Sequence, residues 1–86
     1  MLATTNKIGR NLIMNLLEAK ELVTYQIDKI NSDDQELNMF LLSLGCFQGS
    51  KITIIKRNNK MLTVSIKDGR YCIDSSLAEV IEIIKS

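Results

Sequence analysis

The chain has 86 residues, 45% of them hydrophobic and 24% charged, with a net charge of +1 and no His, Pro or Trp. Without histidine there is no Ser-His-Asp or Cys-His pair and no imidazole metal ligand. The longest nearly apolar run, residues 39–47, falls far short of the roughly twenty residues that a membrane helix requires.

The length suits one small domain. No signal-peptide pattern opens the chain: Lys7 and Arg10 come first, but polar Asn15, Glu18 and Lys20 break up the stretch after them, so a cytoplasmic location is expected. Cys46 and Cys72 match no CxxC spacing, and in that compartment they are expected to be reduced and mostly buried.

Residues 1–5 are expected to be loose. Over residues 6–20, Ile8, Leu12, Ile13, Leu16 and Leu17 fall on one helical stripe, although Gly9 weakens its start. This stretch reads as a docked helix or as a partner-binding arm. Val23, Tyr25 and Ile27 then alternate with Thr24, Gln26 and Asp28, the pattern of a half-buried strand. Asp33 and Glu36 have the spacing of a capping box. After them Leu37, Phe40, Leu41 and Leu44 line one face of a short helix, and Gly45 stands where a left-handed residue ends it.

From there the period is two. Ile52 and Ile54 belong to one strand, Asn58-Asn59 to a tight turn at positive φ, and Leu62, Val64 and Ile66 to the returning strand. Asp68-Gly69 reads as a second hairpin turn, and residues 70–73 as a third, short strand. Asp74-Ser75-Ser76 is positioned to cap a helical turn over Leu77 and Ala78, and a last strand buries Ile81 and Ile83. The predicted fold is mostly β, with one short helix inserted after strand 1. Five strands of this length leave open edges as a flat sheet, so a five-stranded SH3-like small barrel is the economical arrangement, the helix closing one end. A helical or extended N-terminal arm, residues 1–13, precedes a domain over 14–86.

Charge is unevenly placed. Residues 51–70 hold six bases (Lys51, Lys56, Arg57, Lys60, Lys67, Arg70) and one acid, Asp68, with acidic segments on either side. Lys56, Arg57 and Lys60 therefore mark a basic hairpin suited to an acidic partner surface, although such charges also simply solvate a hairpin. Phosphate backbones carry the same charge, but the segment lacks the aromatic stacking residues of single-strand-binding barrels, so no nucleic-acid partner is expected.

The run Leu44-Gly45-Cys46-Phe47-Gln48-Gly49-Ser50-Lys51-Ile52-Thr53-Ile54-Ile55 resembles the LG-x-x-x-G-S-x-I-x-I signature of FeoA-type domains. The likeness continues at Asp68-Gly69-Arg70-Tyr71-Cys72-Ile73 and over residues 76–83, with a family-like opening at Leu16-Leu17-Glu18-Ala19-Lys20. It covers about residues 14–84. Read physically, Leu44, Gly45, Gly49, Ser50 and Gly69 build turns, with the Ser50 hydroxyl bonding nearby backbone. Phe47 either plugs the barrel end or faces a partner.

The resemblance implies a non-enzymatic accessory protein of bacterial ferrous iron transport, bound to a FeoB-type membrane GTPase and so meeting the membrane only indirectly. It implies no catalytic residues, no metal ligands and no cofactor. Family members often carry a longer loop where Arg57-Asn58-Asn59-Lys60-Met61 turns at once, so no contact is carried over from that loop. The alternative reading is a stand-alone relative of the SH3-like C-terminal domain of diphtheria-toxin-repressor-type regulators. It would sense a transition metal such as iron through Asp33, Asp34, Asp68, Asp74 or the thiols, or serve in protein interaction.

Overall fold

A computed structural model describes residues 13–85. In chain order the elements are β1 (Ile13–Asn15), a 3-10 turn (Leu16–Glu18), β2 (Thr24–Ile30), α1 (Gln35–Leu44), β3 (Lys51–Arg57), β4 (Met61–Ile66), β5 (Gly69–Asp74), α2 (Ser75–Glu79) and β6 (Ile81–Lys85). The strands form one six-stranded sheet in the order β1-β6-β2-β3-β4-β5, and all neighbours are antiparallel.

Two irregularities coil this sheet. The β2/β6 register shifts between Ile27 and Lys29, and the β3/β4 register shifts between Ile54 and Lys56. An extra residue on one strand bends it and deepens its twist. The rolled sheet buries Ile27, Ile52, Ile54, Val64, Ile66, Ile81 and Ile83 completely. Each such side chain contributes about 1.5–3 kcal/mol relative to exposure. Leu16, Leu41 and Ala78 seal this core, and Leu37 and Leu44 pack against it. Among the described residues the ladder does not close on itself, and β1 and β5 are its edges.

The N-terminal expectation is corrected where it can be compared. Residues 1–12 lie outside the described residues, but Ile13 to Glu18 are a strand and a 3-10 turn, not an α-helix. Asn15 decides this locally. Its Oδ1 accepts from the Leu17 N–H at 2.9 Å, and Glu18 Oε1 accepts from the Asn15 N–H at 3.0 Å. Asn favours such caps over helix interiors, and β6 supplies ladder partners through Met14↔Ile83 and Asn15↔Glu82. Leu16 is buried as the helical stripe implied, but from a different backbone.

Val23 precedes β2 and is exposed, while Tyr25 and Ile27 are buried as the alternation requires. The cap of α1 falls one residue later than the spacing suggested: Asp34 Oδ1 accepts from the Leu37 N–H, and Ser32 Oγ accepts from the Asp34 N–H. Gly45 ends the helix at φ 97° as expected. Among the described non-glycine residues only Leu22 and Lys67 have positive φ, so the Asn58-Asn59 turn forms without it. Asn58 N–H instead donates to Met61 O across a three-residue connection. The second hairpin turns at Lys67-Asp68, and Gly69 already opens β5 opposite Ile66. Cys46 is buried as expected, whereas Cys72, also expected to be mostly buried, is exposed on the outer face of β5.

Candidate interaction surface

The loop after α1 is held by backbone bonds. Cys46 N–H donates to Leu41 O at 2.9 Å and Ser50 N–H to Phe47 O at 3.0 Å. Gly49 N–H donates to Ile27 O, and Ile27 N–H returns to Ser50 O, both at 2.8 Å. The loop is thereby tied to β2. Gly49 sits at φ 93° with open space where a Cβ would stand, so backbone conformation rather than room selects glycine there. Ser50 is 7% exposed, yet its hydroxyl has no hydrogen-bond partner among the described residues. The expected hydroxyl bond to nearby backbone does not form among the described residues; the Ser50 main chain bonds Phe47 and Ile27 instead.

Phe47 does not plug the barrel. It is 38% exposed, and Lys67 Nζ lies 4.4 Å from its ring centroid. A cation over an aromatic face is worth about 0.5–1 kcal/mol at an exposed site. The Phe47–Lys67 pair forms a ridge between two grooves. One, of about 440 Å³, is walled by Leu42, Leu44 and Gly45 on one side and by Ile66, Gly69 and Tyr71 on the other. The second, of about 370 Å³, runs along Gln48, Gly49, Ser50 and Lys51. The Tyr71 ring lies over Gly69: a Cβ there would stand 2.7 Å from Tyr71 Cζ, so a side chain at this position would displace the ring. Residues far apart in sequence, Leu44, Gly45, Phe47 and Gly69, thus meet around one groove.

The predicted basic hairpin lies apart from these grooves. Lys56 and Lys60 are exposed, but Arg57 is half-buried. Its guanidinium donates to Ala19 O at 2.6 Å, and its N–H to Glu21 Oε2 at 2.7 Å. Arg57 therefore ties the segment before β2 to the end of β3. Asp34 and Asp74 cap the two helices. Among the described residues no three Cys, Asp or Glu side chains come together as a metal cluster, and no helix is long and apolar enough to cross a membrane.

Sequence periodicity did not find the outer face of α1. Met39 is 71% exposed and Leu42 57%, and Phe40, which the heptad-like spacing placed in the core, is largely exposed as well. The signal was present in composition: Leu37, Met39, Phe40, Leu41, Leu42 and Leu44 crowd a ten-residue helix. Only one face of a surface helix fits against a core, so the remainder stays exposed, and Leu42 of it lines the larger groove.

No curated protein sequence matches the chain. Solved structures share its fold at low identity. An iron uptake regulatory protein, FeoA, superposes with a TM-score of 0.79 at 18% identity, covering 87% of this chain and 100% of its own. FeoA of Stenotrophomonas maltophilia, solved with zinc and described as a procaryotic SH3 domain protein, gives 0.74 at 16%, covering 81% and 88%. A manganese-dependent transcriptional repressor gives 0.79 at 18% over 86% of this chain; the match spans only 42% of the repressor. These likenesses establish the SH3-like fold, which the repressor shares in part of its length. The FeoA domain model matches residues 14–85, nearly everything from β1 to β6. With Leu44, Gly45, Phe47 and Gly69 at one groove, Gly49 and Ser50 at the next, and the family model matched from β1 to β6, the chain belongs to the FeoA family.

Proposed function

We propose that the protein is a non-enzymatic accessory of ferrous iron transport that binds the GTPase part of a FeoB-type membrane transporter on the cytoplasmic side. The observation that carries this reading is the set of exposed apolar side chains on α1, Met39, Phe40 and Leu42, of which Leu42 walls the groove where Leu44, Gly45, Phe47 and Gly69 meet. Clustered exposed apolar side chains rimmed by polar ones favour a protein partner. In this reading residues 14–86 are the working domain and residues 1–13 an extension to it. Lys56 and Lys60 steer an acidic face of the partner and leave the apolar rim to hold it.

The test is a 15N NMR titration with the soluble GTPase portion of the cognate transporter. Expected are shifts confined to α1, Phe47 and residues 66–71, loss of binding in Leu42→Glu, and slower association at low salt in the Lys56→Ala/Lys60→Ala pair. An unperturbed spectrum at high micromolar partner overturns the proposal.

A further inference from the structure

Strand β5 lies at the end of the ladder and, among the described residues, pairs with β4 alone. Its six residues run against β4 in unbroken register from Met61↔Asp74 to Ile66↔Gly69, with none of the irregularities that bend the other long pairs. The opposite edge, β1, has three described residues. An extended, regular edge presents unpaired amides and carbonyls that another strand can use.

The ladder fixes which groups face outward. Ser75 N–H donates to Lys60 O at 2.9 Å, so that opposed pair is hydrogen-bonded. Opposed pairs in an antiparallel ladder alternate between bonded and non-bonded. Ile73, Tyr71 and Gly69 therefore spend their main-chain groups on β4, and the amides of Arg70, Cys72 and Asp74 point away from it. The side chains of these same three residues are exposed on the outer face.

The row Arg70, Cys72, Asp74 reads positive, neutral, negative at alternate positions. Turned about a two-fold axis through Cys72, it meets itself with Cys72 opposite Cys72, and Arg70 opposite Asp74 twice. We infer that β5 pairs antiparallel with β5 of a second copy of this chain, in this register, to form a symmetric dimer. Main-chain bonds between the Cys72 residues and from Asp74 N–H to Arg70 O join the edges, and two crossed Arg70–Asp74 pairs fix the register. Asp74 can serve both roles: its bonds to Leu77 N–H and Ser76 Oγ both fall on Oδ1, leaving the other oxygen to meet the arginine. The contact is short, which makes the dimer weak and reversible.

The test is sedimentation equilibrium of the full chain under reducing conditions, up to about 1 mM as suits an interface this small. The expected result is a monomer–dimer equilibrium in the wild type. Arg70→Glu, which leaves the backbone intact but opposes Asp74 with a like charge twice, should weaken it about tenfold. Cys72→Pro should abolish it without unfolding the domain, because the lost N–H does not bond β4 and an edge strand tolerates proline there. A short bis-maleimide should join the wild-type chains through Cys72. A wild-type monomer at about 1 mM, or a dimer indifferent to Arg70→Glu, overturns the inference, including the case in which a foreign strand occupies this edge.

Discussion

Cys46 and Cys72 place one functional group in two environments. Cys46, 2% exposed, lies in the core, and burial pushes its thiol up to about 11. Cys72 faces solvent. Because the thiolate is the reactive form, a disulfide reagent at neutral pH should modify one thiol rapidly in the native protein and the second only on unfolding. Titrating the native and urea-unfolded chains side by side checks this; two equally fast thiols would contradict the burial. A raised folded-state value means that the protonated Cys46 stabilises fully below the thiol's ordinary 9.0, and that this stabilisation is lost as pH rises toward 11. Nothing local in the sequence separates the two cysteines, since Cys is buried by default. Cys72 is exposed by the register of β5, which alternates faces and puts Tyr71 and Ile73 on the other side.

At the scale of elements, short helices depend on their caps. Asp34 holds the first turn of α1, and Asp34→Ala should cost about 1 kcal/mol. Asp74 holds α2: the Leu77 N–H, then the Ser76 hydroxyl, keep its carboxyl below its ordinary 3.8. A lowered folded-state value contributes stability above the unfolded carboxyl's range, lost as pH falls through the folded one. Denaturant midpoints of the wild type should therefore drop on acidification below about pH 4 more steeply than those of Asp74→Asn. Equal slopes would show that the cap carries no charge-dependent stabilisation. Both caps were legible to within a residue because Asp before an apolar turn is a local signal. The second hairpin turn was misplaced for a related reason. Asp-Gly is a strong turn dipeptide, yet here glycine makes room for the Tyr71 ring, and Lys67 takes φ 52° instead.

At the scale of the molecule, one coiled sheet makes the core, and Ile54 stands where the β3/β4 register shifts, fully buried. Ile54→Ala should cost about 2–5 kcal/mol, a large share of the 5–15 kcal/mol typical of a domain. Met39→Ser, on the open face of α1, should move the urea midpoint little. Comparable losses in both would mean that α1 packs more closely than its exposure indicates.

The barrel strands, the main helix and its glycine stop were readable from residue order, because alternation, capping and turn chemistry act over a few neighbouring residues. The family motif was readable there too. Long-range packing was needed to settle that Phe40 stays exposed beside the otherwise correctly read core face of α1, whether residues 13–18 are helix or strand, that Arg57 braces Ala19 and Glu21, and that Leu44, Phe47 and Gly69 share a groove. Each of these depends on a partner distant in the chain. β6 gives Ile13–Asn15 a ladder that no local preference supplies, and the coiling of β2 and β3 brings the loop after α1 against the β4–β5 turn.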